Sequence, residues 1–186
     1  MRIISGQFRG LQLAAVGKGD TAAHLRPTSD RVRESIFNLL QNGGYADALS
    51  DARVLDLFAG TGALGLESLS RGAASVTFVE NGRIAQVLIR KNVDLCRTTA
   101  TRLIPRDATK LGKNDSAPFN LIFLDPPYGK ELGELAVTNA ALNGWLAPGA
   151  LIVWEESTAI SAPEGFETLT QRRYGDTWVN LLAFCG

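Results

Sequence analysis

An α/β fold on a largely parallel sheet is predicted for this chain, and three observations predict it. From Arg53 onward, short apolar strands alternate with helical stretches, the pattern that lays helices over a parallel sheet. The first of those strands runs into a glycine-rich turn and then directly into a helix. The end of the chain breaks the alternation: two strand-like runs flank Tyr174-Gly175-Asp176, which predicts an antiparallel hairpin.

The elements follow in order. Arg2-Ile-Ile-Ser-Gly-Gln-Phe-Arg-Gly-Leu-Gln-Leu13 reads as two short strands around a turn near Arg9-Gly10, and residues 17–27 as a loop holding His24. A helix is expected from Thr28 or Ser29, either of which offers an N-cap oxygen just after Pro27. Val32, Ile36, Leu39 and Leu40 recur at helical spacing until Gly43-Gly44 stops the run, and Arg31, Arg33 and Glu34 fall on the expected solvated face. Strands are then predicted at Val54–Phe58, Ser75–Val79, Arg102–Pro105, Phe119–Leu124 and Ala150–Trp154. Helices are expected over about 63–71, 83–96 and 132–142. The closing strands are Thr168–Arg173 and Thr177–Phe184. The organisation is thus an N-terminal hairpin and helix extension, residues 1–44, on an α/β domain, residues 45–186.

Composition narrows the function. No run of 18 apolar residues and no signal-peptide core is present, so a cytoplasmic chain without a membrane partner is expected. Cys96 and Cys185 are too few for a disulfide framework, and a single histidine with no paired cysteines predicts no metal site. The formal net charge is zero, which argues against a bulk polyanion binder, but residues 1–44 hold six Lys/Arg against three acids. A basic end on a slightly acidic body fits a nucleic-acid docking face, with Arg9 and Arg26 its candidate phosphate contacts; a chance bias in a short segment fits as well.

Two motifs carry the chemistry. Gly60, Gly62 and Gly65 satisfy G-x-G-x-x-G between a strand and a helix, with Glu80 placed to hold ribose hydroxyls. A dinucleotide would be the ordinary reading, and a Rossmann-type NAD oxidoreductase is the rival it supports. Asp56 argues for another ligand, because a carboxylate beside the loop repels a pyrophosphate and welcomes the ammonium of S-adenosylmethionine. Asp107, after the third strand, is placed to accept from an adenine amine or to cap a helix. The second motif is Asn120-Leu-Ile-Phe-Leu-Asp-Pro-Pro-Tyr128, a buried strand cut short by two prolines. Asp125 and the carbonyl of Pro126 can accept from an exocyclic amine on a planar base, while Tyr128 offers a face for stacking worth about 1–3 kcal/mol. Taken alone, Asp-Pro-Pro is equally a stiff turn.

Together Asp56-Leu-Phe-Ala-Gly-Thr-Gly62, Glu80, Asp107 and Asp125-Pro-Pro-Tyr128 resemble the class I S-adenosylmethionine-dependent methyltransferases that modify base amino groups. With Arg2-Ile-Ile-Ser-Gly6, Arg26-Pro-Thr-Ser-Asp-Arg-Val-Arg-Glu34, Leu69-Ser-Arg-Gly-Ala-Ala74 and Tyr174-Gly-Asp-Thr177, the chain is most similar to the bacterial 16S rRNA (guanine-966) N2-methyltransferase family. The resemblance implies a Rossmann-like, seven-stranded sheet whose last strand is antiparallel, and an N-terminal extension forming part of the active-site wall. It implies S-adenosylmethionine as cofactor, bound through Asp56, Gly60, Gly62, Glu80 and Asp107, and Asp125, Pro126 and Tyr128 as the catalytic set. The implied partner is 16S rRNA within an assembling or assembled small ribosomal subunit. An adenine-N6 methyltransferase acting on RNA or DNA would use the same grip.

Overall fold

The structure is a computed structural model and describes residues 1–15, 29–45 and 48–186. Helix α1 (Asp30–Asn42) starts where Ser29 accepts a hydrogen bond from the backbone N–H of Val32, an N-cap that satisfies one orphan donor of the first turn. Then come β1 (Arg53–Leu57), α2 (Ala63–Ser70), β2 (Ser75–Val79), α3 (Arg83–Cys96), β3 (Thr101–Ile104) and β4 (Phe119–Leu124). Helix α4 (Leu132–Leu142) and strands β5 (Leu146–Glu156), β6 (Phe166–Tyr174) and β7 (Thr177–Phe184) complete the chain.

The seven strands form one sheet in the order β3-β2-β1-β4-β5-β7-β6, parallel except for β7, which runs antiparallel to both neighbours. The predicted fold class is therefore the observed one, including the antiparallel last strand. Alternation along the strands separates two cores. Val54, Phe78, Phe123, Val153 and Leu181 face Phe37 and Leu40 of α1, Leu66 and Leu69 of α2 and Ile89 of α3. Leu55, Val79, Ile122, Ile152 and Leu182 face Ala136, Val137 and Ala140 of α4. Each large side chain so buried contributes about 1.5–3 kcal/mol, which fixes register, since a one-residue slip would exchange the faces. Strand β5 starts four residues earlier than the apolar run suggests, with Pro148-Gly149 inside it, and its pairing with β4 shifts register between Phe119 and Leu121. A shift of that kind is how a proline is accommodated in a ladder.

The N-terminal segment departs from expectation. Instead of two full strands it keeps a short hairpin with a single antiparallel bridge, Arg2 to Gln12. Hydrogen bonds close it from the Ile3 N–H to the Leu11 carbonyl at 2.9 Å, the Gly10 N–H to the Ile3 carbonyl at 2.9 Å and the Leu13 N–H to the Met1 carbonyl at 3.1 Å, while its other polar groups turn toward the α/β body. Glu67 of α2, fully buried, accepts from the N–H groups of Ile4 at 2.7 Å and Ser5 at 3.0 Å. The Ser70 hydroxyl accepts from the N–H of Phe8 and donates to the carbonyl of Ser5. A Cβ on Gly6 would lie 1.7 Å from the carbonyl oxygen of Ser70, so only glycine permits this approach. Asn92 of α3 accepts from the Ala14 N–H and donates to the carbonyls of Ala14 and Thr61.

Arg33 corrects the sequence reading outright. It is not on a solvated face of α1 but fully buried, donating to Asp30 at 2.9 Å and to the Arg2 carbonyl, with its Nε 3.9 Å from Glu67. Glu67 also binds Arg71 at 2.7 Å. A helical spacing pattern classes every arginine as polar surface; here two guanidinium groups converge on one buried carboxylate, the arrangement that makes a buried charge tolerable. No helix among the described residues is long and apolar enough to cross a membrane.

Candidate active site

The order of the strands makes the site. Crossovers run from β1 outward through β2 to β3 on one side and from β4 to β5 on the other, so the direction of winding reverses between β1 and β4. Open α/β sheets bind ligands outside the carboxyl ends of strands at such a switch point. Leu57 is paired with Leu124, and the next residue on each strand begins one of the two motifs: Phe58 opens the glycine turn and Asp125 opens the Asp-Pro-Pro turn. Two segments 67 residues apart in sequence are thereby set side by side.

The glycine turn is held from beneath. Asp56 is 2% exposed and accepts from the N–H of Gly65 at 3.0 Å, capping an orphan donor in the first turn of α2 from the neighbouring strand. Burial holds its carboxyl well above the ordinary carboxylate range; the Gly65 bond opposes that shift, and the negative charges of Asp125 and Glu80 reinforce it. Gly65 must be glycine, because an added Cβ would sit 2.5 Å from the Phe78 ring and 2.6 Å from Val76. Glu80 follows β2, and its two carboxylate oxygens accept from the N–H groups of Gly60 at 2.8 Å and Gly82 at 2.7 Å. The turn itself is tight: Phe58, Gly60 and Gly62 all have positive φ, at 59°, 56° and 77°. For glycine this is ordinary, but for Phe58 it is a strained conformation costing roughly 1–3 kcal/mol, the kind found where a site fixes its backbone.

Asp107 follows β3 and caps the 3-10 turn Ala108–Lys110, accepting from the N–H and hydroxyl of Thr109 at 2.9 and 2.8 Å. Of the two roles open to it from sequence, this is the one its present bonds serve. At the end of β4, Asp125 is partly buried, Pro126 is buried and Tyr128 is half-buried. The Tyr128 hydroxyl lies 3.4 Å from that of Thr177, the first residue of β7. Burial, foremost, raises the Tyr128 pKa to about 12; Asp125, Glu155 and Glu156 add to the rise and the Thr177 hydrogen bond works against it. At neutral pH Tyr128 is therefore a neutral phenol, able to stack and to donate but not to act as a base.

The structure thus brings Asp56, Gly60, Gly62 and Glu80 together with Asp125, Pro126 and Tyr128 across the β1–β4 seam. Arg9 lies elsewhere. It is exposed on the turn that packs against Leu69 and Ser70, at the end of α2 remote from Gly62. Arg26 and His24 lie outside the described residues. Phe58 and Thr177 complete the site; each lies in a motif legible in the sequence, but its role there is not, because a dihedral and a long-range contact are invisible before the chain is folded. No group of three or more metal-ligating side chains occurs among the described residues.

A seven-stranded sheet of this order, with a glycine turn after β1 and an acidic-proline turn after β4 meeting at the switch point, is the Rossmann-like architecture of the class I methyltransferases. A Thermus thermophilus 16S rRNA N2 G1207 methyltransferase, solved in complex with AdoMet and guanosine, shares this fold at a TM-score of 0.64 and 21% identity, over 88% of this chain and 45% of its own. Residues 1–183 match the family model Cons_hypoth95, described as conserved hypothetical protein 95, and the chain belongs to that family. Ribosomal RNA small subunit methyltransferase D of Escherichia coli K12 is 39% identical over 88% of this chain and 78% of its own length. The enzyme of the same name from Haemophilus influenzae is 34% identical over 94% and 89%. The solved structure of the Escherichia coli protein yhhF superposes at a TM-score of 0.84 with 36% identity, covering 100% of this chain and 98% of that one.

Proposed function

We propose that this protein is an rRNA methyltransferase that modifies the exocyclic N2 amine of a guanine in 16S ribosomal RNA, with S-adenosylmethionine as methyl donor. The observation that carries the reading is the β1–β4 register, which sets the glycine turn beside Asp125-Pro-Pro-Tyr128 in a member of a family whose relatives bear the name small subunit methyltransferase D. The donor set fits the cofactor. Asp56, Glu80 and Asp125 lie close enough for the latter two to act on the Asp56 carboxyl, an environment that favours a ligand bearing an ammonium and a sulfonium and opposes a pyrophosphate. When bound, S-adenosylmethionine supplies an electrophilic methyl group on a positively charged sulfur.

This chain's own residues handle the base. A guanine turned out of its RNA context is held edge-on, with the Asp125 carboxylate and the Pro126 carbonyl accepting from its N2 amine. Those bonds favour a tetrahedral nitrogen, freeing a lone pair otherwise delocalised into the ring. Tyr128, kept as a neutral phenol, presents its ring as a stacking face. Asp125 takes the proton that the nitrogen releases once it has gained a fourth bond. Positioning and a charge already in place where positive charge develops supply the rate enhancement. Glu80 holds the ribose of the cofactor, Asp107, whose cap bonds both fall on Oδ1, offers Oδ2 to the adenine amine, and Asp56 braces the turn that receives the methionyl end. Residues 45–186 form the catalytic domain and residues 1–44 an extension that builds one wall of the site. Docking on the RNA through Arg9 is limited to a phosphate away from the target base, because α2, about 12 Å long at 1.5 Å per residue, separates that turn from Gly62.

Incubation with tritiated S-adenosylmethionine, using stripped 16S rRNA and intact small subunits in parallel, tests the reading by nucleoside analysis of the product. N2-methylguanosine is expected. N6-methyladenosine would replace guanine by adenine as the target, and no transfer to either substrate would overturn the assignment.

A further inference from the structure

Tyr174-Gly-Asp-Thr177 is distinctive in the sequence, yet none of its residues holds cofactor or base in the scheme above. The structure places it at the site all the same. Tyr174 pairs with Thr177 across the two-residue turn Gly175-Asp176, with Gly175 at a φ of 62°. Because β7 runs antiparallel to β5, pairing Trp178 with Glu156, this turn lies at the carboxyl edge of the sheet, beyond the end of β4. There the Thr177 hydroxyl meets the Tyr128 hydroxyl at 3.4 Å.

We propose that Thr177 is a positioning residue that fixes the direction in which the Tyr128 ring points by holding its phenol oxygen. The inference rests on the reading of Tyr128 as the stacking face for the target base. Tyr128 sits between Pro127 and Gly129 in a turn outside any strand or helix, half-buried, and two side-chain torsions place its ring. A contact at the phenol oxygen restrains the first torsion, which swings the whole ring, through the longest lever; the oxygen lies on the axis of the second, which the contact leaves largely free. The phenol donates and the threonine accepts, or the reverse; either way the ring is held in place before the base arrives, and less freedom is lost when it binds. The hairpin turn is held in its own place by Arg173, whose Nε donates to the Gly175 carbonyl at 2.9 Å. The motif thus buttresses the catalytic turn from a strand that begins 49 residues further along the chain.

The test uses Thr177→Val, Thr177→Ser, Tyr128→Phe and the double variant Tyr128→Phe/Thr177→Val in single-turnover methyl transfer to the RNA substrate the wild type modifies. Thr177→Val is expected to lower the saturating rate about 3- to 10-fold, the scale of one neutral hydrogen bond, with S-adenosylmethionine affinity unchanged. Thr177→Ser should restore the rate to within about twofold. Tyr128→Phe should match Thr177→Val, and the double variant should be no slower than either single, because both remove the same contact. Multiplying losses, a serine variant as slow as the valine one, or a Thr177→Val loss that tracks a lower melting temperature and weaker cofactor binding would each overturn the proposal. Tyr128→Ala separates the two levels: full activity in that variant would remove the stacking role itself, and with it the reason for a restraint.

Discussion

Gly65→Ala is the sharpest test of how the fold builds the cofactor turn. In an isolated helix the change would stabilise by about 0.8–1.0 kcal/mol, since alanine is the better helix former. Against that, the new Cβ would fall 2.5 Å from the Phe78 ring, 2.6 Å from Val76 and 3.1 Å from Oδ2 of Asp56. Phe78 and Val76 are held in the sheet core at 0% and 1% exposure and have nowhere to retreat. Helix α2 must move instead, at the typical overpacking cost of about 1–3 kcal/mol. The move stretches the 3.0 Å bond from the Gly65 N–H to Asp56, a charge-assisted contact worth about 1.5–3 kcal/mol when the carboxyl is ionised. Steric and hydrogen-bond losses exceed the propensity gain, leaving a net destabilisation of about 2–5 kcal/mol. At about 2–4 °C per kcal/mol for a chain of this size, the melting temperature should fall by roughly 4–20 °C. Thermal denaturation by circular dichroism gives that number, and titration calorimetry should show S-adenosylmethionine binding weakened as well. A variant as stable as the wild type with unchanged cofactor affinity would refute the close helix–sheet approach as the reason for this glycine.

Three further outcomes are expected. Asp125→Ala should keep S-adenosylmethionine affinity within a few-fold in calorimetry while single-turnover transfer falls by at least about 10²-fold; unchanged transfer would remove Asp125 from the chemistry. Asp56→Asn, which keeps an acceptor for Gly65, should melt higher than the cofactor-free wild type at pH 7. Because the folded-state pKa of Asp56 is raised, the wild type loses stability as pH rises above the unfolded value of about 3.9, so the difference should shrink toward zero below that pH; a constant difference across the melting series would contradict it. Glu67→Ala strands the buried Arg33 guanidinium and orphans the N–H groups of Ile4 and Ser5, so a loss of about 3–5 kcal/mol is expected in urea unfolding, with limited proteolysis releasing the N-terminal segment first. A loss below about 1 kcal/mol would show that Glu67 does not tie the extension to α2.

Periodicity, capping and turn chemistry along the chain determined most of the fold: Ser29 as a cap, Gly43 as a stop, the strand at Phe119–Leu124 ended by Pro126-Pro127, and the hairpin around Gly175-Asp176. These are local effects, written in residues three or four apart, and so legible before folding. The chemical types of the site were legible too, since a glycine turn and an Asp-Pro-Pro-Tyr turn name their own functional groups. Only the tertiary structure decided which segments meet. The β1–β4 pairing that joins the two motifs, the burial of Arg33 against Glu67, the distance of Arg9 from the site and the Thr177 contact behind Tyr128 all depend on strand order and helix docking. An arginine at a polar helical position carries the same sequence signal whether water or a buried carboxylate receives it. The partner is chosen by packing between α1 and α2, whose residues 33 and 67 become neighbours only when the sheet brings the helices together.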